Sequence, residues 1–273
     1  MAKINLKANA KINIFLDVLD KRNDGYHNIK TIFQEISLAD DIIIKETSGQ
    51  KGEIVINISD PRLPADQRNL AYKAADIIKK YAGVECGVEI DIEKKIPASA
   101  GLGGGSSDAA CVLKGLNKIW NLKINKDQLC SLGKMIGADV PFFIYGGRCL
   151  GEGIGDVLTR IPFKKKEWYV IVHPCFEIST KFVYNQLTET KKKCIIKNYY
   201  NKLENVVLPL YPEVGIIKQK LKMWGAAHSL MSGSGSCVFG VVKDRKTGNN
   251  IMGYLKQYTY GSWLVYGVQS NSF

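Results

Sequence analysis

The segment Pro97-Ala98-Ser99-Ala100-Gly101-Leu102-Gly103-Gly104-Gly105-Ser106-Ser107-Asp108-Ala109-Ala110 constrains this chain more than any other. Before it, Val88, Ile90 and Ile92 alternate with Glu89, Asp91 and Glu93, the period of a half-buried strand. After it, Ala109, Val112, Leu113, Leu116 and Trp120 recur at helical spacing. A glycine-rich loop that enters a helix bares backbone N–H groups at the positive end of the helix dipole, a place that suits a phosphate. Glycine lets the phosphate approach the backbone, where a side chain would hold it off. Two familiar loops are excluded. A Walker loop ends in Gly-Lys-Ser/Thr, and no lysine lies between Lys95 and Lys114. The dinucleotide fingerprint G-x-G-x-x-G, started at Gly101, needs glycine where Ser106 stands.

Around this loop the first half of the chain alternates strand and helix. Strand patterns cover 11–18, 42–45, 54–58 and 88–94, and helix patterns cover 69–81, with Asn69 as its cap, 106–120 and 126–136. The Gly/Pro/Lys-rich passage 151–166 reads as a seam between halves. The second half runs strand 168–173, a helix capped by Ser179 through Leu187, a polar surface segment 188–202, helix 213–224, strands 227–231 and 237–242, helix 246–257 and strand 263–268. That order predicts helices on one face of an antiparallel sheet.

At 273 residues and 45% hydrophobic, the chain is long and apolar enough for one large or two medium domains with a real core. No apolar run approaches the ~18 residues of a membrane span, and the N-terminal pattern alternates where a signal peptide would be continuous. A cytoplasmic protein with no membrane partner is expected. Seven cysteines without a C-x-x-C pair, and only three histidines, predict free thiols in a reducing compartment and argue against a zinc site. A formal charge of +12 favours anionic partners. The lysine clusters Lys164-Lys165-Lys166 and Lys191-Lys192-Lys193 lack interleaved aromatics, so they read as solvated loop charge and no nucleic-acid partner is expected.

The loop resembles the second motif of the GHMP kinases, the family of galactokinase, homoserine kinase, mevalonate kinase and phosphomevalonate kinase. Ser232-Gly233-Ser234-Gly235-Ser236-Cys237-Val238-Phe239-Gly240 resembles the family's C-terminal glycine motif. Ala10-Lys11-Ile12-Asn13-Ile14-Phe15-Leu16 with Arg22-Asn23-Asp24-Gly25-Tyr26-His27, and Gly137-Ala138-Asp139-Val140-Pro141-Phe142-Phe143, narrow the likeness to one branch, which phosphorylates a cytidine diphosphate ester of methylerythritol on its 2-hydroxyl. The resemblance implies an α/β (α+β) chain of two domains: an N-terminal α/β nucleotide-binding domain over 1–155 and a C-terminal ferredoxin-like α+β substrate domain over 156–273. It implies ATP as co-substrate with Mg²⁺, held by Pro97, Ala98, Ser99, Ala100, Gly101, Leu102, Gly103, Gly104, Gly105, Ser106 and Ser107.

Several side chains then acquire candidate roles. On sequence alone Asp139 reads first as a turn aspartate before proline; by the family pattern it takes the proton of the substrate hydroxyl. Lys11 stands between apolar neighbours in a strand, where it either keeps a carboxylate such as Asp139 ionised or guards a sheet edge. Asn13 faces the same side as Lys11, two residues on, and suits the polyol. Ser106 or Ser107 reaches Mg²⁺ or a phosphate, or simply caps the helix. Asp108 opens that helix, where a carboxylate complements the dipole. The family places cytosine at Tyr26 and His27, with Tyr184, after Thr180, as the opposing aromatic residue. No side-chain cluster for a resident metal is expected. Two rivals stay open: a GHMP kinase for a small alcohol such as mevalonate or homoserine, and a basic RNA-binding module. The oligomeric state is left open.

Overall fold

The computed structural model describes residues 2–47, 52–163, 165–187, 199–259 and 263–271. Along the chain the elements are β1 (Lys3–Lys21), β2 (His27–Thr47), β3 (Ile54–Ile58), α1 (Leu70–Ala82), β4 (Gly87–Glu93), α2 (Gly104–Ile119), α3 (Lys126–Ile136), α4 (Val140–Tyr145), β5 (Arg148–Glu152), β6 (Val157–Arg160), β7 (Trp168–His173), α5 (Thr180–Asn185), β8 (Tyr200–Asn201), α6 (Glu204–Leu210), α7 (Pro212–Met223), β9 (His228–Met231), β10 (Val238–Val242), α8 (Arg245–Thr259) and β11 (Leu264–Gln269). Packing groups them into two compact units, one of Met1–Ala10, Leu38–Ile96 and Gly103–Gly146, the other of Lys11–Ser37, Pro97–Leu102 and Gly147–Phe273. Both β1 and β2 are long enough to give a segment to each unit. Among the described residues no helix is long and apolar enough to cross a membrane.

In the first unit, β4 pairs parallel with β3 and antiparallel with β2, with Ile42 opposite Ile92 and Ile44 opposite Ile90. These four isoleucines are buried, as the period-two pattern requires. Helix α1 begins at Asn69, whose side chain accepts the Ala71 N–H at 2.9 Å, and it buries Ala71, Ala74, Ala75 and Ile78. Helix α2 lies close on the sheet at Gly115, where a Cβ would stand 2.5 Å from Ile44 Cδ1 and 2.8 Å from Leu6 Cδ1. The apolar run after Asp139 is the short helix α4. Pro141 sits in its first turn, where proline's fixed φ suits a helix. Val140 through Ile144 are all buried, so no one-sided stripe marks the helix.

In the second unit, β11, β7, β10 and β9 form an antiparallel sheet in that order. Val170 and Val172 of β7, with Val238 and Val242 of β10, share a core with Val214, Ile217 and Leu221 of α7 and Ile251 and Leu255 of α8. Every one of these sheet residues lies an even step from its strand-mates, so the helices cover one face, as expected. The passage expected to be a seam holds the hairpin β5–β6, and β5 pairs in turn with β2. Its glycines serve the connection, with Gly153 and Gly155 at φ +67° and +99°. The 188–202 segment ends in β8, which pairs parallel with β1, Leu16 opposite Asn201. Lys191, Lys192, Lys193, Cys194 and Lys164 lie outside the described residues. The other six cysteines are free thiols, four of them buried.

Candidate active site

The glycine segment is shaped by its backbone. Gly101 and Gly103 adopt left-handed φ values of +76° and +72°, and Ser99, exposed in a turn, follows suit at +51°. Pro97 and Ala98 are half-buried, and Ala100 and Leu102 are buried. Leu102 accepts the Lys11 N–H through its carbonyl at 3.0 Å. Gly101 lies hard against the C-terminal glycine motif. A Cβ there would fall 2.1 Å from the Ser232 carbonyl oxygen, and the Ser232 hydroxyl donates to the Gly101 carbonyl at 2.9 Å. The Cys237 N–H donates to the Ala100 carbonyl at 3.3 Å. Nothing in the local pattern of the C-terminal glycine motif names the loop it rests on.

Helix α2 starts at Gly104 with Gly103 as its cap, so no side chain occupies the first-turn N–H groups. Gly105 is exposed, Gly104 and Ser106 half-buried. The two serines part ways. Ser107 is buried and its hydroxyl donates to the Asn9 carbonyl at 2.6 Å, so it is neither a cap nor directed to a phosphate. Ser106 alone remains at the mouth. Asp108 is buried too, paired with Lys94 at 2.8 Å, so it does more than complement the dipole.

Lys11 is not a guard at a sheet edge: it is 5% exposed. Its ammonium donates to Asn13 Oδ1 at 2.7 Å and lies 5.3 Å from the Phe33 ring centroid. Asn13 passes the chain on, Nδ2 to Thr31 Oγ1 at 2.8 Å, and Thr31 donates to the Phe15 carbonyl at 2.7 Å. Lys11 and Asn13 therefore share one face of β1, as their spacing predicts. Asp139 stands half-buried at the start of α4, and its carboxylate does not cap that helix.

The Asp24-Gly25-Tyr26-His27 turn is tied by the Asp24 side chain and by the Arg22 N–H, which donates to the Tyr26 carbonyl at 2.8 Å. Asp24 Oδ1 accepts the Tyr26 N–H at 3.1 Å, and Gly25 takes φ +85°. The Tyr26 N–H, then Arg22, holds the Asp24 carboxyl below its ordinary value. The ring that meets Tyr184 belongs to His27: their centroids are 5.3 Å apart, tilted by 39°. Tyr26 is 60% exposed. Burial, aided by the charge of Lys21, lowers the His27 pKa, which keeps the imidazole neutral at pH 7 with one donor and one acceptor. Tyr184 rides on α5, capped by Ser179, and the first residue of that helix, Thr180, shares a 2.7 Å hydrogen bond with Ser234. Asn201 was hidden in the polar segment. Its amide donates to the Met231 carbonyl at 2.8 Å and the Gly233 carbonyl at 2.7 Å, steadying the C-terminal glycine motif.

Two family models match the chain: GHMP kinases N terminal domain over residues 69–147 and GHMP kinases C terminal over residues 188–261. This chain belongs to the GHMP kinases. Within that family it is 41% identical to the 4-diphosphocytidyl-2-C-methyl-D-erythritol kinase of Shouchella clausii, over 94% of this chain and 91% of the relative. The enzyme of that name from Clostridium botulinum is 44% identical over 88% and 91%. A crystal structure of a 4-(cytidine 5'-diphospho)-2C-methyl-D-erythritol kinase superposes with a TM-score of 0.85 at 30% identity, covering 98% of this chain and all of that one. The mevalonate kinase of Methanococcus jannaschii, at 18% identity and TM-score 0.74 over 99% of both chains, shares the GHMP fold.

Proposed function

We propose that this GHMP kinase transfers the γ-phosphoryl group of ATP to the 2-hydroxyl of 4-diphosphocytidyl-2-C-methyl-D-erythritol, giving the 2-phosphate and ADP in isoprenoid precursor synthesis. The observation that carries this reading is identity of 41–44% to kinases of that name over about nine-tenths of the chain. The neutral His27 beside the Tyr184 ring supports it, since a base needs an aromatic face and an edge partner. Mevalonate and homoserine kinases share the fold at 18–19% identity, and a small acid or amino acid calls for charged anchors in place of aromatic rings.

The phosphates of ATP lie, on this reading, at the start of α2, against the N–H groups that follow Gly103. Asp139 accepts the proton of the 2-hydroxyl as its oxygen bonds to the γ-phosphorus and the bond to the β-phosphate oxygen breaks. Lys11, held by Asn13, offsets charge on the moving phosphoryl group. Asn13 and Thr180 position the rest of the substrate. Among the described residues no group of three His, Cys, Asp or Glu could hold a metal ion. The residues fit Mg²⁺ that is carried by the triphosphate, with the Ser106 hydroxyl as the protein ligand on offer. The ion supplies charge neutralisation on the phosphates. We place the domain division at 155/156 and the protein in the cytoplasm; six free described thiols accord with a reducing compartment. A coupled assay for ADP, with and without the cytidine diphosphate substrate, tests the assignment: ADP release that ignores this substrate overturns it.

A further inference from the structure

The base of the glycine segment is closed by three charged side chains that the reaction does not use. Asp40 of β2 is fully buried, and its Oδ1 accepts the N–H groups of Lys95 at 2.5 Å and Ile96 at 2.8 Å, the last residues before Pro97. Its other oxygen accepts from the Lys94 ammonium. That ammonium donates also to Asp108 Oδ2 at 2.8 Å, in the helix that the segment enters. The lysine side chain is 7% exposed and that of Asp108 5%. A Cβ on Gly104, the first residue of α2, would stand 3.3 Å from Lys94 Nζ and 3.1 Å from Ile96 Cγ2. The cluster therefore lies directly under the backbone that would face the phosphates.

We propose that Asp40, Lys94 and Asp108 form a clip that fixes the entry and the exit of the glycine segment to one another, and thereby sets how its N–H groups are presented to ATP. They are positioning residues, and the inference rests on reading that segment as the ATP site. The entry is not held by regular structure, since β4 has ended at Glu93, and the exit is held only by the start of α2 at Gly104. A loop with this many glycines samples many conformations unless its ends are fixed. The clip supplies the fixing without placing a side chain among the phosphates. Its charges are also matched to burial. Burial works against the charge on Lys94, but Asp108 and Asp40 outweigh it and raise the lysine pKa. Burial raises the Asp108 pKa, with Lys94 opposing and Asp40 adding to the rise. Asp108 Oδ1 is buried without a hydrogen-bond partner among the described residues.

This gives a gentle way to open the clip. Asp108→Ala leaves the Lys94–Asp40 pair intact, so no lone charge is stranded. The apparent KM for ATP should rise roughly tenfold, the scale of one hydrogen bond to a charged group, while kcat and the KM for the cytidine substrate stay within about twofold. Asp108→Asn, which still accepts from Lys94, should recover most of the loss. Should Asp108→Ala fail to fold by thermal melting, Asp108→Leu fills the volume with an apolar group and carries the same expectation. A folded variant with an unchanged KM for ATP, equal rises for both substrates, or no recovery with asparagine would overturn the clip. Gly103→Val serves as control. If it raises the KM for ATP and opening the clip does not, the clip is wrong and the ATP site stands; if it leaves the KM for ATP unchanged, the ATP site itself is misplaced.

Discussion

At the scale of single residues, the proposed chemistry rests on a few side chains of the sequence motifs, Lys11, Asp139 and His27 among them. Lys11 is buried and hydrogen-bonded to Asn13, so its charge is fixed in place and not swept through solvent. Asp139 heads α4 without capping it, so its carboxylate is not spent on the helix. Asp139→Asn should lower kcat by roughly 10²–10⁴, the usual loss with a general base, while the KM of either substrate changes little; steady-state kinetics retaining more than half the wild-type turnover would remove Asp139 from the proton transfer. The His27 ring is the second case. Burial depresses its pKa, so the neutral form, with one donor and one acceptor, holds at pH 7 and above. A histidine depressed in the fold takes its proton more readily when unfolded, so its cost to stability enters as pH falls through the ordinary value near ~6.5, while its cost to binding enters at lower pH, where the folded ring itself takes the proton. The KM for the cytidine substrate should therefore be flat from neutral to alkaline pH and rise in acid, and the rise should vanish in His27→Gln.

At the scale of elements, two glycine motifs far apart in sequence are locked together by backbone. Gly101 has φ +76°, and a Cβ there would lie 2.1 Å from a carbonyl oxygen that cannot swing away. Gly101→Ala should cost about 1–2 kcal/mol for the left-handed backbone alone, and more from the forced shift of Ser232. The expected readout is a melting temperature lower by several degrees together with a weakened KM for ATP; a variant equal to wild type in both would show that the two motifs do not depend on this contact. Such pairing marks where sequence reading stops. The strands and helices with a clean period were legible, as in 54–58 or 126–136, because one face is buried and the other wet. Helix α4 was not, since burial on all sides erases the period. The hairpin β5–β6 was not, since glycines that serve a turn look like a linker. At the site, Lys11 and Asn13 were legible from a spacing of two, and Ser179 as a cap from its place before an apolar run. Ser107 turning inward to Asn9, Asp108 meeting Lys94, and Asn201 holding Gly233 were not legible, because each joins segments whose meeting only the tertiary fold decides.

At the scale of the whole molecule, the fold by itself does not choose a substrate. Chains with 18–19% identity and TM-scores of 0.73–0.74 act, by their names, on mevalonate or homoserine, so selectivity must reside in side chains grafted on a shared frame. On the proposed reading the graft is the turn that carries Tyr26 and His27 and the helix that carries Tyr184. Tyr184 also packs against the hydrophobic core of its unit, so its ring is held in orientation before any ligand arrives. A preset ring loses little conformational freedom on binding, and stacking of a base on an aromatic ring is worth roughly 1–3 kcal/mol. Tyr184→Ala should therefore weaken the cytidine substrate roughly 5- to 150-fold on that scale, with the KM for ATP little changed. Methylerythritol phosphate without the cytidine should be a poor substrate for the wild-type enzyme and should lose nothing further in Tyr184→Ala, because the ring has no base to hold. Equal kcat/KM for the two acceptors in the wild-type enzyme would show that the cytidine is not recognised here, and would leave a GHMP kinase whose acceptor is some other alcohol.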